Sequence, residues 1–175
     1  MMERNVSERS AVAAPTFRPA DPSEAATLGD MVMAGVSHWG HDVNFPAAVE
    51  GLRANGLPTP DYVAESPVFV LEDDSGLVGF YGLRLTDDFV DLVYMFLHVG
   101  RIGAGHGRRL WNHAVVEAAK HGSRLRILSD PGAVGFYAAM GATPQKEVEV
   151  SRGFRLTLFW YNLDAAGDVL GEVTK

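Results

Sequence analysis

Phe96-Leu97-His98-Val99-Gly100-Arg101-Ile102-Gly103-Ala104-Gly105-His106-Gly107-Arg108-Arg109-Leu110 decides how this chain is read. An apolar strand pattern runs into glycines at 103, 105 and 107 and then into a helical pattern. Glycine lets backbone approach a ligand or take positive φ, and the first-turn N–H groups of a helix sit unpaired at the positive end of its dipole. That combination predicts a phosphate site, with Arg108 and Arg109 reinforcing the sign. A ligand-free strand-to-helix turn stays open on this spelling alone. Two nucleotide-binding spellings do not fit. A P-loop closes on Gly-Lys-Ser/Thr, and a dinucleotide turn sets its third glycine three residues after the second, with an acidic residue some twenty positions on.

Working outward, Pro67–Leu71, Leu77–Leu85 and Phe89–Val99 alternate with turn spellings and predict an antiparallel meander of three strands. Upstream, Thr16–Ala20 reads as a first strand. Asp21-Pro22-Ser23-Glu24 reads as a helix start, with Asp21 capping, Pro22 in the first turn and Glu24 bonding back. Leu28, Val32, Val36 and Trp39 form an apolar helical stripe, and Asn44–Asn55 predicts a second, shorter helix stopped by Gly56. Downstream, Leu110, Ala114 and Ala118 predict an amphipathic helix ending near Gly122. A strand at Arg124–Ser129, a short helix from Asp130 to Met140 and closing strands at Thr143–Glu149 and Arg155–Leu163 complete the pattern. The order is β-α-α-β-β-β-α-β-α-β-β, an α/β (mixed α+β) fold with helices on both sheet faces.

The 175 residues and 47% hydrophobic content suit one domain, expected over 15–164 between a disordered tail at 1–14 and a polar tail at 165–175. Without cysteine there is no disulfide, thiolate metal site or cysteine nucleophile, in keeping with a cytoplasmic location. A formal charge of −7 argues against a nucleic-acid partner but says nothing against a cationic small-molecule amine. No apolar run approaches membrane-spanning length.

Gly103-Ala104-Gly105-His106-Gly107 resembles the pyrophosphate loop of the GNAT acetyltransferase superfamily, Gln/Arg-x-x-Gly-x-Gly/Ala, with Ile102 where Gln or Arg is usual and Arg101 one residue off. A second motif joins it: Asp130-Pro131-Gly132-Ala133-Val134-Gly135-Phe136-Tyr137-Ala138-Ala139-Met140-Gly141-Ala142 is similar to the family's Asn/Asp-x-x-Ala-x-x-Phe-Tyr-x-x-x-Gly-Phe, Ala142 replacing an aromatic. His38-Trp39-Gly40 resembles the His-Trp-Gly-Tyr turn of a bacterial subgroup, with His41 at the tyrosine position. The likeness runs from about Phe17 to Leu163 and implies a mixed, mostly antiparallel sheet of six to seven strands.

It further implies direct transfer of the acetyl group of acetyl-CoA to an amine. The backbone of Leu97 and Val99 would bind the pantetheine arm, the loop Gly103, Ala104, Gly105, His106, Gly107 and Arg108 the pyrophosphate, and Asp130 would join the cofactor site. Tyr137 would protonate the leaving thiolate, and a strand N–H near Leu97 would stabilise the oxyanion. The base is open. The strand position where some members carry glutamate is Leu92, and the adjacent Asp91 is expected on the opposite face, at the surface. His38, His41 and His98 can each titrate near neutrality, His98 reading rather as a strand-face residue. His38, Trp39 and His41 are expected to contact substrate. The His38-x-x-His41 pair lacks a third metal ligand, so no metal is expected. Partners are then acetyl-CoA and an amine, without nucleic acid or membrane, a homodimer being left open. A non-catalytic CoA-binding domain, and an acyltransferase with a longer acyl donor or an alcohol acceptor, stand as alternatives.

Overall fold

Asp21 opens the first helical segment as its spelling predicts. Its side chain accepts from the Ser23 N–H at 2.9 Å, while the Glu24 carboxylate accepts from the Asp21 N–H at 2.8 Å. Arg18 ties this start to the sheet by bridging Glu24 and Glu72. The computed structural model describes residues 13–164, so the tails expected at 1–14 and 165–175 lie outside the described residues, Ala13 and Ala14 excepted.

After β1 (Thr16–Pro19) and a 3-10 turn come α1 (Ala25–His38), α2 (His41–Asn44), α3 (Pro46–Asn55) and α4 (Pro60–Glu65). The meander is β2 (Val68–Asp73), β3 (Gly76–Leu85) and β4 (Val90–Leu97). Then follow α5 (His106–Ala119), β5 (Arg124–Ser129), α6 (Val134–Ala139), β6 (Thr143–Ser151) and β7 (Phe154–Asn162). The seven strands form one sheet in the order β1-β2-β3-β4-β5-β7-β6, antiparallel throughout except between β4 and β5. Each face buries a core. Tyr81, Leu83, Leu125, Ile127 and Phe159 pack with Leu110, Trp111 and Ala114 of α5 and Tyr137 of α6, while Val68, Val70 and Phe80 pack with Leu28 and Val32 of α1 and Val63 of α4. No helix among the described residues is long and apolar enough to cross a membrane.

Four elements differ from expectation, the first being α2, a single helical turn over His41–Asn44 ahead of the expected second helix. The helix expected over Asn44–Asn55 starts at Pro46, because proline suits a first turn and holds Phe45 out of helical conformation, with φ −136° and ψ 56°. α4 is additional to the expected elements, although Thr59 caps it by accepting from the Tyr62 N–H at 3.1 Å and Pro60 occupies its first turn. The strand expected to reach Val99 stops at Leu97, where His98 caps a 3-10 turn over Val99–Arg101.

β4 and β5 pair only at Val90↔Leu125, Asp91↔Arg126 and Leu92↔Ile127. A bulge then leaves Val93 without a partner on β3, since Gly82 pairs with Tyr94 and Leu83 with Leu92. Beyond it β4 runs on without β5. At the closed end of this fork Asp91 is 4% exposed, correcting the expectation that it lies at the surface. Its register partners on both sides are arginines: Arg126 donates to it through Nε at 3.0 Å and Nη2 at 2.9 Å, and Arg84 donates from β3. The buried carboxylate is charge-paired on both sides, and removing it leaves two cations facing one another.

Because both arginines reach solvent, Asp91→Ala should cost about 2–3 kcal/mol, below the full penalty for breaking a buried pair. Urea unfolding of wild type and variant gives the measurement, and coincident midpoints would show that this row does not hold the fork closed.

Candidate active site

The mouth of the fork opens on the glycine loop. Gly105 stands before α5 with φ +82°, a left-handed conformation that glycine adopts without penalty. The first helical hydrogen bond of α5 runs from the Arg109 N–H to the Gly105 carbonyl at 3.4 Å, so the N–H groups of His106, Gly107 and Arg108 are unpaired among the described residues. A Cβ at Gly103 or Gly105 would meet nothing within 4 Å, so the loop borders open space. His106 Nδ1 is buried without a hydrogen-bond partner among the described residues. These groups fit a pyrophosphate.

The loop's cations divide by their partners. Arg108 is exposed and makes no hydrogen bond or ion pair among the described residues, whereas Arg109 donates to the Pro15 carbonyl at 2.5 Å. Arg101 is occupied by Asp73, to which it donates at 2.8 and 2.9 Å, so it braces the β2–β3 turn. Hydrogen bonds from Ser75, then from Arg101, hold the Asp73 carboxyl below its usual pKa. Ile102, at the position where the family's loop has Gln or Arg, lines the cavity with its side chain and is 43% exposed.

From the loop a cavity of about 380 Å³ runs into the fork between Leu92, Val93, Met95, Phe96 and Leu97 of β4 and Leu128 of β5. Val99 is not among the residues lining this cavity, because β4 has already ended. Tyr137 of α6 closes the inner end, packed edge-on against Trp111 and Phe136 at centroid distances of 5.8 and 5.3 Å. Burial, helped by the Asp130 charge, raises its pKa well above that of an exposed phenol. It is therefore a hydrogen-bond donor at neutral pH.

His41 and Asp130, 89 positions apart, meet here with Nε2 2.5 Å from Oδ2, off hydrogen-bond alignment. The other Asp130 oxygen accepts from the Gly132 N–H at 2.8 Å and caps the turn leading to α6, so Asp130 faces His41 rather than the loop. Of the three histidines considered as bases, His41 alone lines the cavity. His38 is exposed with its ring edge-on to Trp39 at 5.1 Å, and His98 Nδ1 accepts from the Gly100 N–H at 3.2 Å, as a capping residue instead of a strand-face one. Trp39 is 50% exposed and lies against Gly132, where a Cβ would approach its ring to 3.3 Å; it is a cavity wall, not a core plug. Leu92 lines the cavity at the strand position of the glutamate, and Asp91 does not reach it. No group of three His, Cys, Asp or Glu side chains able to hold a metal occurs among the described residues.

A second cavity of about 510 Å³ adjoins the first, sharing Val36, His41, Phe96, Leu128 and Asp130 with it. No local spelling signals it, because its walls come from α3 and the β6–β7 hairpin, distant in sequence.

Comparison with known proteins agrees with this architecture. Residues 64–141 match the sequence model of the acetyltransferase (GNAT) domain. No curated protein matches the chain. Among solved structures, the PaiA N-acetyltransferase of Thermoplasma acidophilum, in complex with coenzyme A, superposes with a TM-score of 0.68 at 15% identity, covering 86% of this chain and 99% of that one. A GCN5-related N-acetyltransferase of Rhodopseudomonas palustris gives 0.63 at 18% identity, with 87% and 98% covered. YncA of Salmonella typhimurium, a putative acetyltransferase with acetyl-CoA, gives 0.58 at 19%, with 87% and 95% covered. At such identities the likeness is one of fold. Residues 64–141 thus carry the sequence pattern of the GNAT acetyltransferase domain, and the fold around them is the one these solved structures share.

Gly105→Ala should cost about 1–2 kcal/mol by forcing an L-residue into the left-handed region. In calorimetric titrations it should weaken CoA about tenfold. An unchanged affinity would remove the loop as the pyrophosphate site.

Proposed function

We propose that the protein transfers the acetyl group of acetyl-CoA to an amine. The observation that carries this reading is the fork itself: an unpaired length of β4 leads from unpaired helix N–H groups to a buried tyrosine and a carboxylate-held histidine. Acetyl-CoA, when bound, supplies an activated thioester.

Every other part falls to the chain. The N–H groups of His106, Gly107 and Arg108, with the Arg108 guanidinium, hold the pyrophosphate. β4 beyond Leu92 offers the pantetheine arm the backbone groups that β5 would otherwise take. One of its N–H groups, near Leu97, stabilises the negative charge that develops on the carbonyl oxygen. An ammonium substrate must lose a proton before it attacks, and His41, held by Asp130, receives it. Tyr137 donates a hydrogen bond to the leaving sulfur. A phenol's pKa already exceeds an ordinary thiol's and burial raises it further, so the hydroxyl stabilises the thiolate better than it protonates it.

Acetyl-CoA at about a hundred times its Kd should stabilise the protein by about 2.7 kcal/mol, which a thermal-shift titration reads as a raised midpoint. A flat titration would remove the acetyltransferase reading. Tyr137→Phe keeps the packing ring, so acetyl-CoA affinity should hold while kcat falls about ten- to a hundredfold. Undiminished single-turnover transfer would take the hydroxyl out of the reaction.

A further inference from the structure

The second cavity is built almost entirely outside the segment that matches the GNAT domain. Residues 36–52 and 150–156 supply most of its wall, so the family likeness is silent on its chemistry. We infer that it is the acceptor pocket, and that its occupant is a primary monoamine on an uncharged apolar body, the ammonium resting against the His41–Asp130 pair. The inference rests on the acetyl-transfer reading above.

Position comes first. The two cavities share Val36, His41, Phe96, Leu128 and Asp130, so a molecule in the second meets the first beside the imidazole and carboxylate. Its volume of about 510 Å³ falls within the range of roughly 300–1,000 Å³ typical of small-molecule sites.

The lining then sets the chemistry. Leu52, Phe96, Val150, Phe154 and Leu156 make it predominantly apolar, and among the described residues its only polar side chains are His41, Asp130 and Ser151. Leu128 is 39% exposed and Val150 49%, apolar surface that an apolar guest would cover. Among the described residues no lysine or arginine lines the pocket, so a substrate carboxylate or phosphate would lose its hydration without gaining a cation. Among the described residues one acidic side chain lines it, so a second ammonium on a diamine would find no counter-charge there. A single ammonium does. The Asp130 carboxylate beside the imidazole supplies one negative charge to face it, and a neutral imidazole keeps one ring nitrogen able to accept a proton.

The test compares kcat/KM for 2-phenylethylamine, its α-carboxylated counterpart phenylalanine, and 1,4-diaminobutane, reading CoA release at saturating acetyl-CoA. 2-Phenylethylamine should lead each of the others by about tenfold or more, the penalty for desolvating an unpaired charge. Val150→Arg should narrow or reverse its lead over phenylalanine by supplying the missing cation, with the acetyl-CoA thermal shift as the check on folding. A wild-type preference for phenylalanine or diaminobutane would overturn the inference and leave acetyl transfer standing. No CoA release from any of the three, with the acetyl-CoA shift intact, would also overturn it. Loss of that shift in the wild type would instead remove the acetyl-transfer reading beneath it.

Discussion

A sheet strand normally satisfies its backbone on both sides, and β4 does so only as far as Leu92. Past that residue it keeps β3 and loses β5, and the unpaired edge faces a cavity within the sheet instead of solvent at its rim. The site depends on this parting. Three register pairs hold the closed end, with Arg84, Asp91 and Arg126 side by side on successive strands, and the bulge at Val93 begins the divergence. Backbone groups left unpaired in a cavity favour a ligand that can pair with them, and an extended amide-bearing arm suits that geometry.

The fork also orders what lies around it. α5 brings its N-terminus to the open end because Leu110, Trp111 and Ala114 are buried in the core on that face of the sheet. α6 delivers Tyr137 to the inner end because Asp130 caps the turn before it, and the same carboxylate holds His41. One side chain thus caps the approach to α6 and touches the imidazole of His41, the first residue of α2. The first cavity lies largely within the segment matching the GNAT domain, and the second largely outside it.

Local chemistry makes much of this legible in the amino-acid sequence. The Gly103–Gly107 spelling, the Asp21 capping box and the Asp130-Pro131 turn each act within a few residues, and each holds. Features that depend on register are not legible in that way. Counting along β4 puts Asp91 opposite Leu92, but burial there is decided by the arginines that β3 and β5 set beside it. Apolar Val99 extends the strand pattern past its true end, because periodicity does not register that His98 has already capped a turn. The Thr59-Pro60-Asp61 spelling of α4 is a local signal of the same kind as Asp21-Pro22, but the helix it opens is too short to show an apolar stripe. No periodicity can reveal the His41–Asp130 pair, because it exists only once the α1–α2 turn meets the end of β5.

Backbone amide chemical shifts in a ¹⁵N-labelled sample titrated with coenzyme A test the central claim most directly. The largest changes should fall on two groups, residues 94–97 along the unpaired β4 edge and residues 103–108 at the start of α5, with residues 47–52 of the second cavity nearly still. Changes confined to residues 47–52 and the β6–β7 hairpin, with the β4 edge and glycine loop unmoved, would contradict the assignment of the fork to the thioester substrate.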